Sequence, residues 1–386
     1  MLLQSPRFRS LRQVISQAQL FLINWLFTPL AGIIWKNWLH FLRYGGTSIP
    51  MRYWPRTLFT SGMATINSVI AWIENKRYRA VLEEIIIRQP VFIIGHHRSG
   101  TTHLWNLLSQ DPQFAYPSVL QAIFPHTFLT YEKSIQKLAQ LFTPKRRPQD
   151  NVSFTPDSPL EEERAICTSC LVSIQMARHL PQMRTYFKRY LPLRNVTINE
   201  RNRWKSSLDN FARKLILRHG INKTLLFKSP ENTARIKVLL ELYPDAKFIH
   251  IHRNPYRVFQ STIEMEMSTL PLYAYQRTAL DNLEDFVLWR YQAMYDAMLD
   301  DVQLIPKKQF VELAYDELVQ NPLGTLEKVY DVLDLPSYET IRPHLEAYLV
   351  SISDYQKNAY ARLSDEQKER IFRAWHRSFD AFGYPK

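Results

Sequence analysis

Pro90-Val-Phe-Ile-Ile-Gly-His-His-Arg-Ser-Gly-Thr-Thr102 is the stretch from which the rest of this 386-residue chain is read. Val91 to Gly95 is a short apolar run, which predicts a buried strand. A tight loop follows. Thr101 then opens a helical pattern that Asp111-Pro112 stops. From Gly95 to Gly100 the loop has the Gly-x-x-x-x-Gly spacing of a phosphate cradle. Such a cradle points backbone N–H groups and a helix N-terminus at an anion. The nucleotide-hydrolase form continues with Lys and then Ser or Thr. Here Thr101 takes the lysine position, and the strong cation is Arg98, two residues before Gly100. The loop is therefore expected to hold a phosphorylated ligand in a geometry other than that of magnesium-bound ATP.

Two later segments converge on this loop. Phe248-Ile-His-Ile-His252 is another apolar strand, ending on Arg253, after which Asn254-Pro255 starts a helix carrying Ser261. The Arg253 guanidinium and the Ser261 hydroxyl can pinch one phosphate between them. Leu225 to Lys228 is a further strand, followed by Ser229-Pro230 as the start of a helix that runs on through Ile236 to Tyr243. Gln309 to Leu313 is another strand, and Asn321 to Leu333 a helix. Strands alternating with helices imply a parallel sheet with right-handed crossovers. Ligands of such sheets lie beyond the carboxyl ends of the strands. Gly95, Lys228 and Arg253 all stand at such ends. Two anion sites on one sheet imply a nucleotide with phosphates at both ends.

These motifs give the chain its resemblance. Arg98 to Thr102 after a strand, then Arg253 with Ser261 eight residues later, is similar to the sulfotransferases that use 3′-phosphoadenosine 5′-phosphosulfate (PAPS). The likeness covers roughly Pro90 to Leu335 and is closest to the bacterial branch. It implies a three-layer α/β, P-loop-like fold around a central parallel sheet. It implies PAPS as co-substrate, 3′-phosphoadenosine 5′-phosphate (PAP) as product, and no required metal. Arg98, Ser99, Gly100, Thr101 and Thr102 would hold the phosphosulfate. Arg253 and Ser261 would hold the 3′-phosphate, with Arg257 an open candidate beside them. Lys228 would contact the transferring sulfonate. The acceptor would be a hydroxyl on a small molecule, lipid or glycan. The alternatives are a P-loop kinase and a non-catalytic, membrane-associated nucleotide-binding protein.

A hydroxyl acceptor calls for a general base. The histidine of the aryl enzymes falls on Pro230 here, and that of many bacterial relatives on Asn232. Three candidates remain: Glu162, the middle of Glu161-Glu-Glu163; His126, after the first helix; and His97, in the loop itself. The bland reading of the glutamates is an acidic first helical turn, which the helix dipole favours. That of His126 is a hydrogen-bonded loop histidine. The proline-punctuated stretch 143–159 precedes the glutamates and is expected to close over the loop as a lid.

Charge and composition set outer bounds. The chain carries 49 basic and 36 acidic residues. Residues 1–89 hold a surplus of eight basic residues, which suits an anionic surface or substrate. Nucleic acid is disfavoured, since no nucleic-acid fold signature accompanies the charge. The two cysteines, Cys167 and Cys170, sit in a helical pattern and read as packing residues in a reducing, cytoplasmic setting. The division expected is a basic helical segment over 1–89 and a catalytic domain over 90–386. Gln13 to Trp35 carries no formal charge, yet polar residues and Pro29 interrupt it. Residues 14–44 are thus expected to lie on a membrane surface, with Trp25, Trp35 and Trp38 at headgroup depth, or to cap the domain. A true span and a homodimer face are the remaining options.

Overall fold

The computed structural model describes residues 28–46, 49–132, 155–277, 282–336, 338–353 and 362–386. Its centre is an all-parallel sheet of five strands: β1 (Val91–Ile94), β2 (Phe114–Ala115), β3 (Thr224–Lys228), β4 (Lys247–His252) and β5 (Phe310–Ala314). Their spatial order is β2-β3-β1-β4-β5. The helices used below are α1 (Trp35–Gly45), α2 (Trp54–Glu84), α3 (Thr101–Leu108), α4 (Glu162–Cys170), α5 (Ile198–His219), α6 (Ile236–Leu242), α7 (Pro255–Tyr273), α8 (Leu283–Asp301), α9 (Pro322–Val332) and α10 (Asp365–Phe382).

β1 is central because both of its faces are apolar, as a strand covered on two sides requires. Successive side chains point to opposite faces. Phe92 stacks on Phe227 and Phe248 from the flanking strands, with ring centroids 5.5 and 5.6 Å away. These rings join a core with Ile166 of α4, Trp204 of α5 and Met294 of α8. Val91, Ile93, Leu226 and Ile251 face the other way, onto Leu104 and Leu107 of α3 and Leu326 of α9. Two cores on two faces of one sheet make the three-layer architecture. Its strand order turns at β1, which opens a crevice at the carboxyl ends of β1, β3 and β4.

β3 and β4 run parallel, as the alternation of strands and helices implies, with β1 between them. Two sequence expectations are altered. The helix expected to run from Ser229 to Tyr243 is split into a 3-10 turn, Pro230–Ala234, and α6. Ser229 does not cap it, because its Oγ accepts the backbone N–H of Glu163 instead. The N-terminal segment caps the domain over its described part. Trp38 and Phe41 are fully buried and stacked at 5.0 Å, and Phe41 meets Tyr275 edge-on. Trp35 and Trp38 donate their indole N–H groups to Thr65 and Ser61 of α2. Trp38 therefore does not stand at headgroup depth: the apolar face of α1 finds a protein partner. Trp25 and residues 14–27 lie outside the described residues. Among those described, no helix is long and apolar enough to cross a membrane.

Candidate active site

The loop between β1 and α3 is shaped by close backbone approach. A Cβ on Gly95 would stand 2.3 Å from the carbonyl oxygen of Ile251, and one on Gly100 2.3 Å from the Tyr315 ring. Both glycines also have positive φ, 143° and 103°. Ser99 directs its hydroxyl, at 2.7 Å, and its N–H, at 3.2 Å, to the carbonyl of His96. This closes the turn from within. Gly95 donates its N–H to Thr233 Oγ1 at 2.7 Å, anchoring the loop to the segment after β3. Gly100 then caps α3, whose first-turn N–H groups are the orphan donors that any helix start presents.

Arg98 is the unusual residue of this loop. Its φ is 71°, a left-handed value that a side chain seldom adopts. That conformation brings Arg98 Nε to Ser261 Oγ, a hydrogen bond of 2.7 Å from the loop to α7. Arg253 reaches the same loop, with Nη1 3.4 Å from the carbonyl of Arg98, and its guanidinium lies over the Tyr315 ring at 4.2 Å. The two expected anion sites are therefore walls of one crevice. Arg257 is exposed, and its backbone N–H is held by Asn254 Oδ1 at the start of α7.

Lys228 ends β3 with its side chain turned toward α3. Its ammonium lies over Trp105 at 4.9 Å and 3.5 Å from Thr102 Oγ1. It also donates to Glu161 Oε1 at 2.7 Å. The three consecutive glutamates do different work. Glu161 stands at the Lys228 ammonium and near Arg164, and keeps some exposure. Glu162 is buried; its oxygens accept from Asn232 Nδ2 at 2.6 Å and from the Lys228 backbone N–H at 3.1 Å. Burial pushes its carboxyl up to about 7. Glu163 is buried in a two-pronged ion pair with Arg235 and accepts a third bond from Ser173. Asn232 and Glu161 were not singled out by sequence reasoning as partners of the site. The spacing Lys228 to Asn232 after a strand was the available signal.

The histidines divide. His97 is buried at the back of the loop, with Nε2 3.8 Å from Glu231 Oε1. Burial, with Arg290, His96, Arg178 and Lys228 nearby, holds its pKa well below the usual value. His126 lies elsewhere: its neighbours include Lys214 and Thr168, and burial lowers it to about 3. Of the expected lid, 143–154 lies outside the described residues. Its end is tied down, since Val119 and Leu120 donate to the carbonyls of Ser158 and Pro156.

Beside Glu231 lies a narrow cleft of about 10 Å³, lined by Gln175, Arg178, Arg184, Glu266 and Arg290 among others. Arg178 and Arg290 both donate to one oxygen of Glu266, each at 2.7 Å. Their charge holds that carboxyl near 2 against its burial. Arg290 Nε and Nη2, Gln175 Oε1 and Glu231 Oε2 are buried without a partner among the described residues. Among those residues, no group of three or more His, Cys, Asp or Glu is arranged to hold a metal. Cys167 and Cys170 are buried free thiols within α4.

Comparison with known proteins agrees with this geometry. The profile described as "Sulfotransferase family" matches residues 90–340. The omega-hydroxy-beta-dihydromenaquinone-9 sulfotransferase Stf3 of Mycobacterium bovis is 31% identical over 364 residues, 94% of this chain and 93% of that one. Among solved structures, sulfotransferase STF9 from Mycobacterium avium superposes with a TM-score of 0.67 at 17% identity, covering 95% of this chain and 97% of that one. Sulfotransferase STF1 from Mycobacterium tuberculosis gives 0.64 at 16% identity, covering 91% and 93%.

Proposed function

This chain belongs to the sulfotransferase family, and from that premise we propose that it moves the sulfonate of PAPS to a hydroxyl of an apolar, quinone-type lipid. Sulfonate transfer to a hydroxyl acceptor is the family's reaction; the donor and the lipid are the finer reading. The observation that carries the donor is the hydrogen bond from Arg98 to Ser261. It knits the phosphosulfate loop to the second motif, so a ligand with phosphate at both ends meets one continuous wall. In this reading the N–H groups at the start of α3, with Arg98 and Thr102, hold the 5′-phosphosulfate. Arg253 and Ser261 hold the 3′-phosphate.

The reaction needs positioning and charge stabilisation more than covalent help. The acceptor oxygen attacks sulfur in line, the bond from sulfur to the phosphate oxygen breaks, and PAP leaves. Lys228 neutralises the charge that grows on the leaving oxygen. We assign the base to Glu161, which stands at the Lys228 ammonium and retains exposure. Glu162 is a candidate from the sequence, but both its oxygens are engaged and its side chain is buried. Its role in this reading is to position the end of β3. The lipid assignment is supported by the acceptor in the name of the mycobacterial relative, matched over nearly the whole chain.

The donor reading is tested by thermal melting. PAP should raise the midpoint far more than AMP through mass-action binding to the native state. Arg253→Ala should remove most of that difference, and equal shifts would sink the assignment. Labelled PAPS with a hydroxylated prenyl quinone tests the acceptor, with a water-soluble phenol as the comparison.

A further inference from the structure

Among the described residues, the long helix α2 leaves one face without a protein partner. Met51, just before it, and Trp54, Leu58, Ile66, Val69, Trp72 and Ile73 are large apolar residues that stand exposed, Leu58 at 70% and Trp72 at 66%. Their spacing of three or four residues, with Gly62 between, draws one stripe along the helix. From Trp54 to Trp72 it extends about 27 Å at the helical rise. Between Arg52 and Lys76 the only charged residues are Arg56 and Glu74, and both are buried. Exposed charge returns at the two ends, as Arg52 on one side and Lys76 and Arg77 on the other, beyond which Arg79 pairs with Glu83 and Glu84 is exposed. An apolar patch of this extent on a folded surface marks an interaction site.

We propose that this face docks the enzyme, helix axis in plane, on an anionic lipid bilayer. An in-plane helix buries apolar and indole side chains at the boundary of headgroups and acyl chains while cations contact anionic headgroups. The stripe has that arrangement: indoles near both ends, aliphatic residues between, and basic residues bracketing it. Lys76 already lies over the Trp72 ring at 5.6 Å, a pairing that keeps the ammonium at the level of the indole. Charge selects the bilayer over the other occupants. Two copies paired through this stripe would set positive ends against positive ends in either orientation. Residues 1–27 contain no acidic residue and three arginines, so they would not neutralise it either. Neighbouring α1 adds exposed Lys36, Leu39 and Arg43. The inference does not depend on which donor or acceptor the enzyme uses.

The test uses the full chain and sedimentation with phosphatidylcholine vesicles containing or lacking phosphatidylglycerol. The protein is expected to pellet with the anionic vesicles, with a blue shift in tryptophan emission. Leu58→Ser combined with Trp72→Ser should lower the partition coefficient by at least about tenfold, because it removes the apolar anchor. Both positions are exposed, so PAP-dependent thermal stabilisation should stay at the wild-type level. Lys76→Glu with Arg77→Glu leaves the apolar stripe whole and should abolish the preference for anionic vesicles. Three results would overturn the proposal: no binding by the wild type, unchanged binding by the stripe variant, or loss of binding on deleting residues 1–27 alone. Conversion of a dimer to a monomer by the stripe variant, with vesicle binding unchanged, would assign the face to a second copy. Vesicle binding that persists while PAP fails to stabilise the chain would fault the donor reading and leave this surface standing.

Discussion

Adjacent residues of one short run, Glu161, Glu162 and Glu163, meet three environments, and each predicts a different mutant. Glu161→Gln keeps size and removes basicity. It should lower kcat by roughly a hundredfold to ten-thousandfold with PAP affinity nearly unchanged, as loss of a general base does. Glu162→Gln should act through stability and its pH dependence. The native carboxyl sits near 7 and the unfolded one near its ordinary 4.5, so the folded state holds the proton between those values. That contribution is fully present below about pH 4.5 and is lost as the pH rises through 7. It amounts to a few kcal/mol, at about 1.4 kcal/mol for each pH unit separating the two values. Between pH 5 and 8 the urea midpoint of the wild type should therefore lose ground to that of Glu162→Gln as the pH rises. The histidines supply the opposite slope. His97, His126 and His179 are held neutral by burial, so their contribution is present above the ordinary histidine value and lost as the pH falls. That acid-side loss should persist in Glu162→Gln. An activity loss confined to Glu162→Gln would return the base to that residue.

At the scale of elements, the site depends on how α4 is clamped to the exit of β3. The Arg235 guanidinium is fully buried where the 3-10 turn gives way to α6. It donates to both oxygens of Glu163 and to the carbonyls of Tyr190 and Leu191. That one side chain fastens α4, the β3 exit and the segment before α5, which fixes Lys228 relative to Glu161. Arg235→Met should cost about 3–5 kcal/mol, because it leaves a buried carboxylate unpaired. Adding Glu163→Met should restore part of that loss, since an apolar pair no longer has an isolated charge to solvate. Denaturant midpoints of the two single variants and the double variant measure this. Additive losses would show that the ion pair is not what holds α4 in place.

For the whole molecule, the expected division at residue 89 does not coincide with a division of the core. Leu30, Ile33, Trp38, Phe41 and Leu82 belong to the same buried cluster as Phe92 and Phe248. Glu74 of α2 accepts from the buried Lys214 of α5 at 2.7 Å, and Arg213 holds the carbonyls of Leu82 and Glu83. A chain beginning at Pro90 would expose that apolar surface and strand Lys214 without its carboxylate. We expect it to be insoluble, or to unfold without the cooperative transition of the full chain, by circular dichroism and calorimetry. A soluble, PAP-binding chain from Pro90 would show that residues 28–84 are an accessory layer.

The chain's local chemistry is legible in the sequence alone. Strands β1 and β4, the glycine loop and the Arg253–Ser261 motif each lie within a dozen or so residues. Backbone preference and hydrophobic period act at that range. From these the parallel sheet, the anion-binding crevice and the family resemblance can be read. Tertiary structure decided what joins distant residues. Arg98 meets Ser261 across 163 positions, and Lys228 meets Glu161 across 67. It separated Glu161 from Glu162, which sequence could not, because which of two neighbouring carboxylates faces solvent depends on what packs over the helix. It also exchanged the two apolar N-terminal faces. Trp38 turned inward, where Phe41 and Tyr275 complete its surroundings, while Trp54 and Trp72 were left outside. Periodicity marks an apolar face; only the fold's supply of complementary surface determines whether protein or something else covers it.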